Sequence, residues 1–454
     1  RRTIEYVASA NISMFPSKLA ICLICLNVDA VNGLSYGSNN EVLVLSDSFD
    51  KFDFDLWQHE ITAGGAHGDI KEFQYFTNNR TNSYIKDGAL YIQPTLTSEI
   101  YTSDGVLGKV PSTLNLWGSH PGDLCTSNSN FGCVRSSDIY AREILPPVQS
   151  ASIRTSKTFS FRYGRLEIVA KLPKGDWLKP IISLLPEQNA YGNWPASGEI
   201  DLVESRGNDL SYSPGGSNSI TSEFIWGPQD KQFGWYSTKE FFSLPEGGSF
   251  SDDYHTFGLY WDKDVMYTYV DSDSNSLAKI YFNETAGPLA KKSYENPNIS
   301  SPWTGGSNAA PFDERFYVKI ALAVGGVDGY FPDGIGNKPW LDSSMIAVNQ
   351  FNFNLNKWYP TWNGTESALK VSSVKVWQVP EMTKAESNTK MYYKSNDNMA
   401  VVQSANVGTN CPYISPDGST YTVVVISGAI GICIGIVIAT LAYTSKHSSA
   451  YYQL

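Results

Sequence analysis

The chain has no excess of positive charge. Its 454 residues include 34 Lys and Arg against 45 Asp and Glu, which gives a formal net charge of −11 at pH 7. A protein that binds nucleic acid normally presents a basic surface to the phosphate backbone. The charge balance therefore argues against nucleic acid as a partner, whereas a neutral polymer needs no charged surface.

Long amphipathic helix patterns are also missing between the two ends of the chain. Short alternating runs rich in β-branched and aromatic residues occur instead, and Gly, Pro, Asn and Asp separate them. These runs lie at residues 165–171, 256–261, 267–270, 317–322 and 371–379. The pattern predicts an all-β fold with residues 34–380 as one large domain, and with long loops at 100–140 and 285–313.

Three carboxylates fall within six residues of the strand-like segment 198–205, which reads GEIDLVES. Side chains alternate between the two faces of a strand, so Glu199 and Asp201 share a face, whereas the odd offset turns Glu204 away. One extra residue at 202–203, a β-bulge, returns Glu204 to that face, and bulges are frequent beside active sites. We therefore predict that the three acids line one surface.

Three acids on one face repel one another, so the arrangement is costly unless chemistry requires it. Retaining glycoside hydrolases hold a nucleophile and an acid/base roughly 5–5.5 Å apart. About four strand steps of ~3.3 Å separate the Cα atoms of Glu199 and Glu204, and side chains that lean together close that gap. A solvated acidic strand edge is the alternative interpretation of the spacing.

The segment YGNWPASGEIDLVESRGN at residues 191–208 surrounds these acids. It resembles the signature of glycoside hydrolase family 16, and more closely its bulged β-1,3-glucanases (laminarinases) and the related invertebrate β-1,3-glucan-binding proteins. Other segments match in order from about residue 45 to about residue 380, at 54–57, 60–62, 76–84, 144–151, 161–167, 170–177, 226–228, 255–261, 323–326 and 331–340.

The resemblance implies a jelly-roll β-sandwich of the concanavalin A-like kind, with a long open cleft on one sheet. It implies that Glu199 is the nucleophile, that Glu204 is the general acid/base and that Asp201 lies between them. The implied activity is retaining endo-hydrolysis of a β-1,3-glucan by double displacement. The implied partner is the polysaccharide itself, and neither a cofactor nor a metal is expected.

Five further residues match family positions that contact the sugar. Trp194, five residues before the nucleophile, corresponds to a tryptophan that stacks on a sugar ring, although large aromatic residues are mostly buried in cores. Arg165 corresponds to a position that hydrogen-bonds sugar hydroxyls, and a surface charge on a strand is its alternative. His255, which opens a strand next to aromatic residues, corresponds to a position beside the acid/base, and a structural role is its alternative. Trp226 and Asn82 are carried over as weaker matches.

The chain departs from the family pattern at two places. Residues 177–183 read WLKPIIS where the family often has WLWPAIW, and Ile225 replaces a frequent His before the segment WGP. Neither change removes an acid. Relatives that only recognise glucan have often lost the acids, so the intact set favours hydrolysis over the alternative, a non-catalytic β-1,3-glucan receptor of innate immunity.

A third possibility is a hydrolase of the same fold that acts on another polysaccharide, a mixed-linkage glucan or a galactan. The bulge weighs against the mixed-linkage enzymes, which lack it, and leaves galactans open.

The N-terminal segment has the pattern of a signal peptide. Residues 14–18 (MFPSK) precede an apolar run at 19–26, and the VDA at 28–30 suits cleavage. We therefore assign residues 1–33 to upstream sequence and a signal peptide, and expect the mature domain outside the cytosol.

That compartment permits two covalent modifications. A disulfide is expected between Cys125 and Cys133, which bracket a polar loop, while Cys411 is either free or links two chains. Sequons for N-glycosylation begin at Asn79, Asn283, Asn298 and Asn363.

The C-terminal segment predicts a membrane anchor. Residues 423–442 carry no charge and are long enough to span a hydrocarbon core of ~30 Å. We assign 381–420 to a polar stalk, 421–443 to a transmembrane helix and 444–454 to a cytosolic tail. Small residues recur at every fourth position, which is a candidate surface for a homodimer; they are Ser427, Gly431, Gly435 and Ala439.

These features predict a single-pass membrane protein with its domain on the extracellular or lumenal side. The terminal YYQL resembles the signals that direct membrane proteins to endosomes and lysosomes.

Overall fold

The computed structural model describes residues 41–65, 72–118, 120–228, 236–283 and 301–379, and the backbone of 391–395 and 398–402. The predicted signal peptide, the sequon at Asn298, Cys411, most of the stalk, the transmembrane helix and the tail lie outside these residues. Within the described ranges, no helix has the length and apolar character needed to cross a membrane.

The described residues form two large antiparallel sheets, as the all-β prediction requires. In spatial order, the first sheet consists of β19 (Ser272–Tyr281), β18 (Val265–Val270), β17 (His255–Trp261), β11 (Gly164–Lys171), β21 (Leu369–Gln378), β5 (Ala89–Ile92) and β4 (Ser83–Lys86), with β1 (Val42–Asp47) also paired to β21. The second consists of β15 (Tyr236–Ser237), β14 (Ser219–Trp226), β13 (Glu199–Ser205), β12 (Leu178–Pro186), β20 (Phe316–Val324), β10 (Ser152–Arg154) and β2 (Gln58–His59), with β16 (Glu240–Ser243) also paired to β14.

Smaller sheets and helices accompany the two large sheets. A three-stranded sheet contains β3 (Gln74–Phe76), β9 (Val148–Ser150) and β6 (Thr95–Leu96), and two hairpins pair β7 (Ser112–Asn115) with β8 (Val134–Ser137) and β22 (Met391–Ser395) with β23 (Asn398–Val402). The helices are α1 (Ser98–Val106), α2 (Ala347–Phe353) and α3 (Leu355–Trp358), with 3₁₀ turns at Pro121–Asp123, Ser129–Phe131, Tyr359–Thr361 and Gly364–Ser367.

All five predicted strand runs lie in strands, namely β11, β17, β18, β20 and β21. Two irregular segments have more structure than expected. The predicted loop 100–140 contains most of α1 and the β7–β8 hairpin, and the β22–β23 hairpin lies within the segment predicted to be a stalk.

The core lies between the facing sides of the two large sheets. On β11, Leu166, Ile168 and Ala170 are fully buried and alternate with half-buried residues, as one-sided burial of a strand requires. Ile200 on β13 and Phe224 on β14 enter the same core from the second sheet. The opposite face of the second sheet, which turns away from this core, is called the acid face below.

Candidate active site

A bulge in β13 brings the three acids to one face. From Asp201 to Glu204, β13 advances three residues while β14 advances two, from Glu223 to Thr221. The extra residue falls at 202–203, and both side chains there are buried in the core. The predicted bulge is confirmed. It returns Glu204 to the face of Glu199 and Asp201, which regular alternation would have prevented.

Trp194 contacts the first acid directly. Its Nε1 donates a hydrogen bond to Oε2 of Glu199 over 2.7 Å. Glu199 is 1% exposed, whereas Trp194 is 36% exposed. The indole therefore joins a buried carboxylate to solvent, which is the environment that a sugar-stacking platform needs.

The loop before β13 is fixed by its own contacts. Nε1 of Trp303 donates to the carbonyl oxygen of Ala196 over 2.6 Å. Gly198 has a φ of +81°, and a Cβ atom there would lie 2.9 Å from Phe312. A glycine is therefore required immediately before Glu199, because any other side chain would meet the Phe312 ring and strain the backbone.

Asp201 is a buried acid among other acids. It is 4% exposed, and its Oδ1 has no hydrogen-bond partner among the described residues. Burial, and then the charges of Glu199, Glu204 and Glu223, raise the pKa of Asp201 well above its usual range. The raised pKa extends the pH range over which this carboxyl group carries a proton and is able to donate a hydrogen bond.

Glu204 faces a buried lysine. Nζ of Lys179 lies 3.0 Å from Oε1 of Glu204 and 3.8 Å from Oδ2 of Asp328, and the Lys179 side chain is 5% exposed. Burial acts to lower the pKa of Lys179, but Glu204, Glu72 and Asp328 outweigh it and hold that pKa above its usual value. Lys179 is therefore a permanent cation beside this acid.

Two more cations lie along the acid face. Nζ of Lys239 is 3.2 Å from Oε2 of Glu223, the fourth carboxylate on this face. Nζ of Lys319 is 3.0 Å from Oε2 of Glu60 and is 1% exposed. Burial acts to lower the pKa of Lys319, and Glu60 raises it above the usual value. These pairings offset part of the negative charge that the acids accumulate.

Lys179 was not predicted from the sequence to lie beside the acids. The lost aromatic positions 179 and 183 both lie on β12, which is paired with β13, and Ser183 is directly opposite Asp201. Strand alternation places 179, 181 and 183 on one face, so the departure from the family pattern lies beside the acids. The alternation in WLKPIIS was enough to place residues 179 and 183 on one face of a strand. The sequence did not show that this strand pairs with the strand that carries the acids.

Arg165 is not at the acids, and its predicted contact with sugar hydroxyls there is wrong. It lies on β11 of the first sheet, on the face away from the core. Its Nε is 3.0 Å from Oε2 of Glu41, it also pairs with Glu167, and its Cζ is 3.8 Å from the centre of the Trp377 ring. Its contacts belong to the outer surface of the sandwich.

His255 also belongs to the first sheet. Its Nδ1 shares a hydrogen bond of 2.8 Å with Oδ2 of Asp271, and its ring lies 4.9 Å from that of Phe250. These contacts give His255 a structural role at the start of β17, and its predicted place beside the acid/base is corrected.

Trp226 and Asn82 are buried structural residues, so neither makes the predicted sugar contact. Trp226 is 2% exposed and packs edge-on against Phe312 at 6.1 Å, on the core side of β14. Asn82 is fully buried, and its Nδ2 donates to the carbonyl oxygen of Gln93 over 2.9 Å and to Oγ1 of Thr95 over 3.0 Å.

The predicted disulfide and three of the four predicted glycosylation sites lie within the described residues. Cys125 and Cys133 form the predicted disulfide, with 5.6 Å between their Cα atoms. Asn283 and Asn363 are exposed and Asn79 is half-buried, and their glycosylation remains a prediction. In the part of the chain that the structure describes, no cluster of three or more His, Cys, Asp or Glu side chains is placed to hold a metal ion.

The chain matches known proteins over this region. The family model for the glycosyl hydrolases family 16 matches residues 125–315. A β-1,3-glucan-binding protein of Penaeus monodon is 41% identical over 350 residues, which are 74% of this chain and 90% of that protein. The β-1,3-glucan-binding protein 1 of Manduca sexta is 32% identical over 342 residues, which are 74% of this chain and 64% of that protein.

One solved structure aligns with most of this chain. The catalytic domain of an endo-1,3-β-glucanase (laminarinase) from Thermotoga petrophila RKU-1 aligns with 74% of this chain and 98% of its own, with a TM-score of 0.45 and 22% identity.

Proposed function

Because the chain belongs to glycosyl hydrolase family 16, we propose that it is a retaining endo-β-1,3-glucanase. The observation that carries this proposal is the alignment of Glu199, Asp201 and Glu204 on one face of β13 across its bulge. A buried acid set of this kind lowers the stability of a fold, so its presence favours a reaction that uses it, and glycoside hydrolysis uses two carboxyl groups in different roles.

The first step forms a covalent intermediate. A carboxylate oxygen of Glu199 attacks the anomeric carbon and the glycosidic C–O bond breaks. Protonated Glu204 gives its proton to the leaving oxygen, so the departing chain leaves as an alcohol. In the second step, Glu204 takes a proton from water, and the resulting hydroxide oxygen displaces Glu199, which restores both groups.

Trp194 and Asp201 support Glu199 in this scheme. The Trp194 N–H fixes one carboxylate oxygen of Glu199, which orients the other toward the sugar. Asp201 keeps its proton because of burial and its acidic neighbours, so it adds a donor rather than a further charge. The two glutamates then differ in environment, as an acid/nucleophile pair must.

The substrate we propose is a neutral β-1,3-glucan of the laminarin type. The Penaeus monodon and Manduca sexta relatives are named as β-1,3-glucan-binding proteins, which supports this choice. The half-exposed Trp194 supplies the aromatic surface on which a sugar ring stacks.

We propose that the enzyme domain lies outside the cytosol on a single-pass anchor. A signal-like N-terminus, the apolar run 423–442 and the Cys125–Cys133 disulfide support this topology. The terminal YYQL supports an endosomal or lysosomal destination, and the small-residue stripe at 427–439 supports pairing of two anchors.

A non-catalytic β-1,3-glucan receptor is the second candidate. Two observations favour it: the relatives named above are called binding proteins, and the Lys179 cation contacts the proposed acid/base. A permanently ionised Glu204 would bind glucan without protonating its leaving oxygen.

One experiment separates these functions. Reducing-sugar release from laminarin is measured for the full-length chain and for the Glu199→Gln and Glu204→Gln variants, across acidic and neutral pH. Glu240→Gln, an exposed change on β16, serves as the matched control. Activity that both acid variants lose and the control keeps supports the enzyme, whereas laminarin binding without hydrolysis at any pH supports the receptor.

A further inference from the structure

The buried lysine on β12 has no part in the reaction scheme above. Position 179 carries tryptophan in the family pattern and lysine in this chain. Burying an ammonium group is costly unless a carboxylate pairs with it. The Lys179 side chain is 5% exposed, and its Nζ lies 3.0 Å from Oε1 of the proposed acid/base Glu204.

Neighbouring aromatic contacts hold this cation in place. Nζ of Lys179 lies 4.3 Å from the centre of the Tyr330 ring, and Cζ of Arg206 lies 4.1 Å from the same ring. Arg206 also donates from Nη2 to the carbonyl oxygen of Tyr330 over 2.6 Å. The ring is therefore anchored by Arg206, and its negative face adds a favourable contact for the ammonium group beside Glu204.

Charged and titratable groups approach this centre from each neighbouring element. They are Lys179 from β12, Glu199, Asp201 and the adjoining Arg206 from β13, Glu223 from β14, Asp328 and Tyr330 from the segment after β20, and Glu72 from the segment before β3. The Lys179 ammonium group forms an ion pair with Glu204, with Nζ 3.0 Å from Oε1.

That contact opposes the first chemical step. A general acid must carry a proton when the leaving oxygen departs. An ammonium group in contact with a carboxylate stabilises its ionised form and makes protonation harder. The proton that Glu204 delivers must come from solvent, so the protonated fraction of Glu204 sets how much enzyme is ready to react.

We propose that Lys179 is a positioning residue that restricts glucan hydrolysis to acidic pH by holding Glu204 as an oriented carboxylate. This inference rests on the proposed function of the same site. With lysine at position 179, activity is low at neutral pH and reaches its full value at the acidic pH where Glu204 gains its proton. It also suits the acidic endosomal or lysosomal compartment proposed above.

The test is the pH dependence of kcat/KM on laminarin for the full-length chain, Lys179→Met and Lys179→Arg. The alkaline limb of this profile reports the acid in the free enzyme. In Lys179→Met we expect that limb to move up by roughly one to three pH units, because one neighbouring opposite charge shifts a carboxyl group by about that much. Lys179→Arg keeps the charge and should keep the wild-type limb.

A purely structural counter-ion gives a different result. Lys179→Met would then lower kcat/KM or the unfolding temperature without moving the alkaline limb, and that result overturns the inference while leaving the glucanase proposal intact. If the wild-type chain binds laminarin without hydrolysing it at any pH, the glucanase proposal fails and the restriction to acidic pH fails with it, including where Lys179→Met gains activity at neutral pH. Inactivity of both chains overturns both.

Asp328→Asn provides a second test if Lys179→Met does not fold. Asp328 shares the ammonium group at 3.8 Å, and its side chain is 19% exposed. Its neutralisation removes a competing carboxylate from the Lys179 ammonium group, so the pairing with Glu204 strengthens and the alkaline limb should move down. An unmoved or upward-moving limb contradicts the proposed control by Lys179.

Discussion

Nε1 of Trp194 donates a hydrogen bond to Oε2 of Glu199 over 2.7 Å. One end of this side chain fixes the proposed nucleophile, and its ring is the exposed aromatic surface beside it. Substrate contact and nucleophile orientation are therefore coupled through one residue, and conservative and drastic substitutions at Trp194 should have different kinetic effects.

Trp194→Phe should reduce kcat on laminarin by about tenfold to a hundredfold with little change in KM. The phenyl ring keeps an aromatic surface but loses the N–H, and a hydrogen bond to a charged group contributes about 1.5–3 kcal/mol. Trp194→Ala should raise KM as well, since it removes the stacking surface. Steady-state kinetics on both variants separates the effect on kcat from the effect on KM. An equal rise of KM in Trp194→Phe and Trp194→Ala would contradict this prediction.

Asp201→Asn should stabilise the protein at neutral pH while it lowers activity. Burial and acidic neighbours raise the folded-state pKa of Asp201 above its unfolded value of about 3.9. The stability that this shift contributes is complete below about pH 3.9 and is lost as pH rises through the folded-state pKa. Asparagine carries no charge, so it avoids that loss.

The measurement is thermal unfolding of Asp201→Asn and wild type between pH 4 and pH 7. We expect the variant to unfold at a higher temperature than wild type at pH 7. Each kcal/mol gained in the free energy of unfolding corresponds to about 2–4 °C, and the difference should shrink toward pH 4. Asp273→Asn, an exposed change on β19, is the matched control. A pH-independent difference would rule out an Asp201 proton as its cause.

Arg165→Gln should leave laminarin affinity unchanged, although Arg165 matches a sugar-binding position of the family. Its partners are Glu41, Glu167 and the Trp377 ring on the first sheet, so the expected cost is about 1 kcal/mol of folding stability. Isothermal titration with laminarin checks the affinity, with Trp194→Ala as the variant that loses it. A weaker Arg165→Gln complex would place the glucan on the outer face.

Breaking the disulfide should lower stability without affecting the acids. Cys125 and Cys133 are eight residues apart, and closing a loop of that size contributes about 2–3 kcal/mol by restricting the unfolded chain. Cys133→Ser with Cys125→Ser should lower the unfolding temperature and keep kcat/KM at low temperature. A loss of kcat/KM in the folded variant would show that this loop takes part in catalysis.

Local periodicity was enough to predict the central strand. The spacing of Glu199, Asp201 and Glu204 conflicts with simple alternation, and a bulge at 202–203 is the smallest change that resolves it. The five strand runs and the disulfide could also be predicted, because each depends on residues close in sequence. The structure confirms all of these features.

Long-range pairing could not be read from the chain. Arg165 reaches the first sheet because β11 pairs with β17 and β21, partners about 90 and 200 residues away. Trp226 faces the core because its neighbour Ile225 is the residue opposite Glu199. The contact between Lys179 and Glu204 likewise needs the pairing of β12 with β13. A motif identifies positions, and sheet topology decides which side chains meet.

The most direct measurement is covalent trapping on the full-length chain at acidic pH. An activated 2-deoxy-2-fluoro derivative of laminaribiose slows the second step of a retaining glucanase more than the first, so the glycosyl-enzyme accumulates. Mass spectrometry of the digested protein should then show one added 2-deoxy-2-fluorolaminaribiosyl group, which is two sugar units, on the peptide with Glu199 and none in Glu199→Gln. An unlabelled protein that still binds laminarin would contradict a nucleophilic role for Glu199 and the glucanase proposal with it.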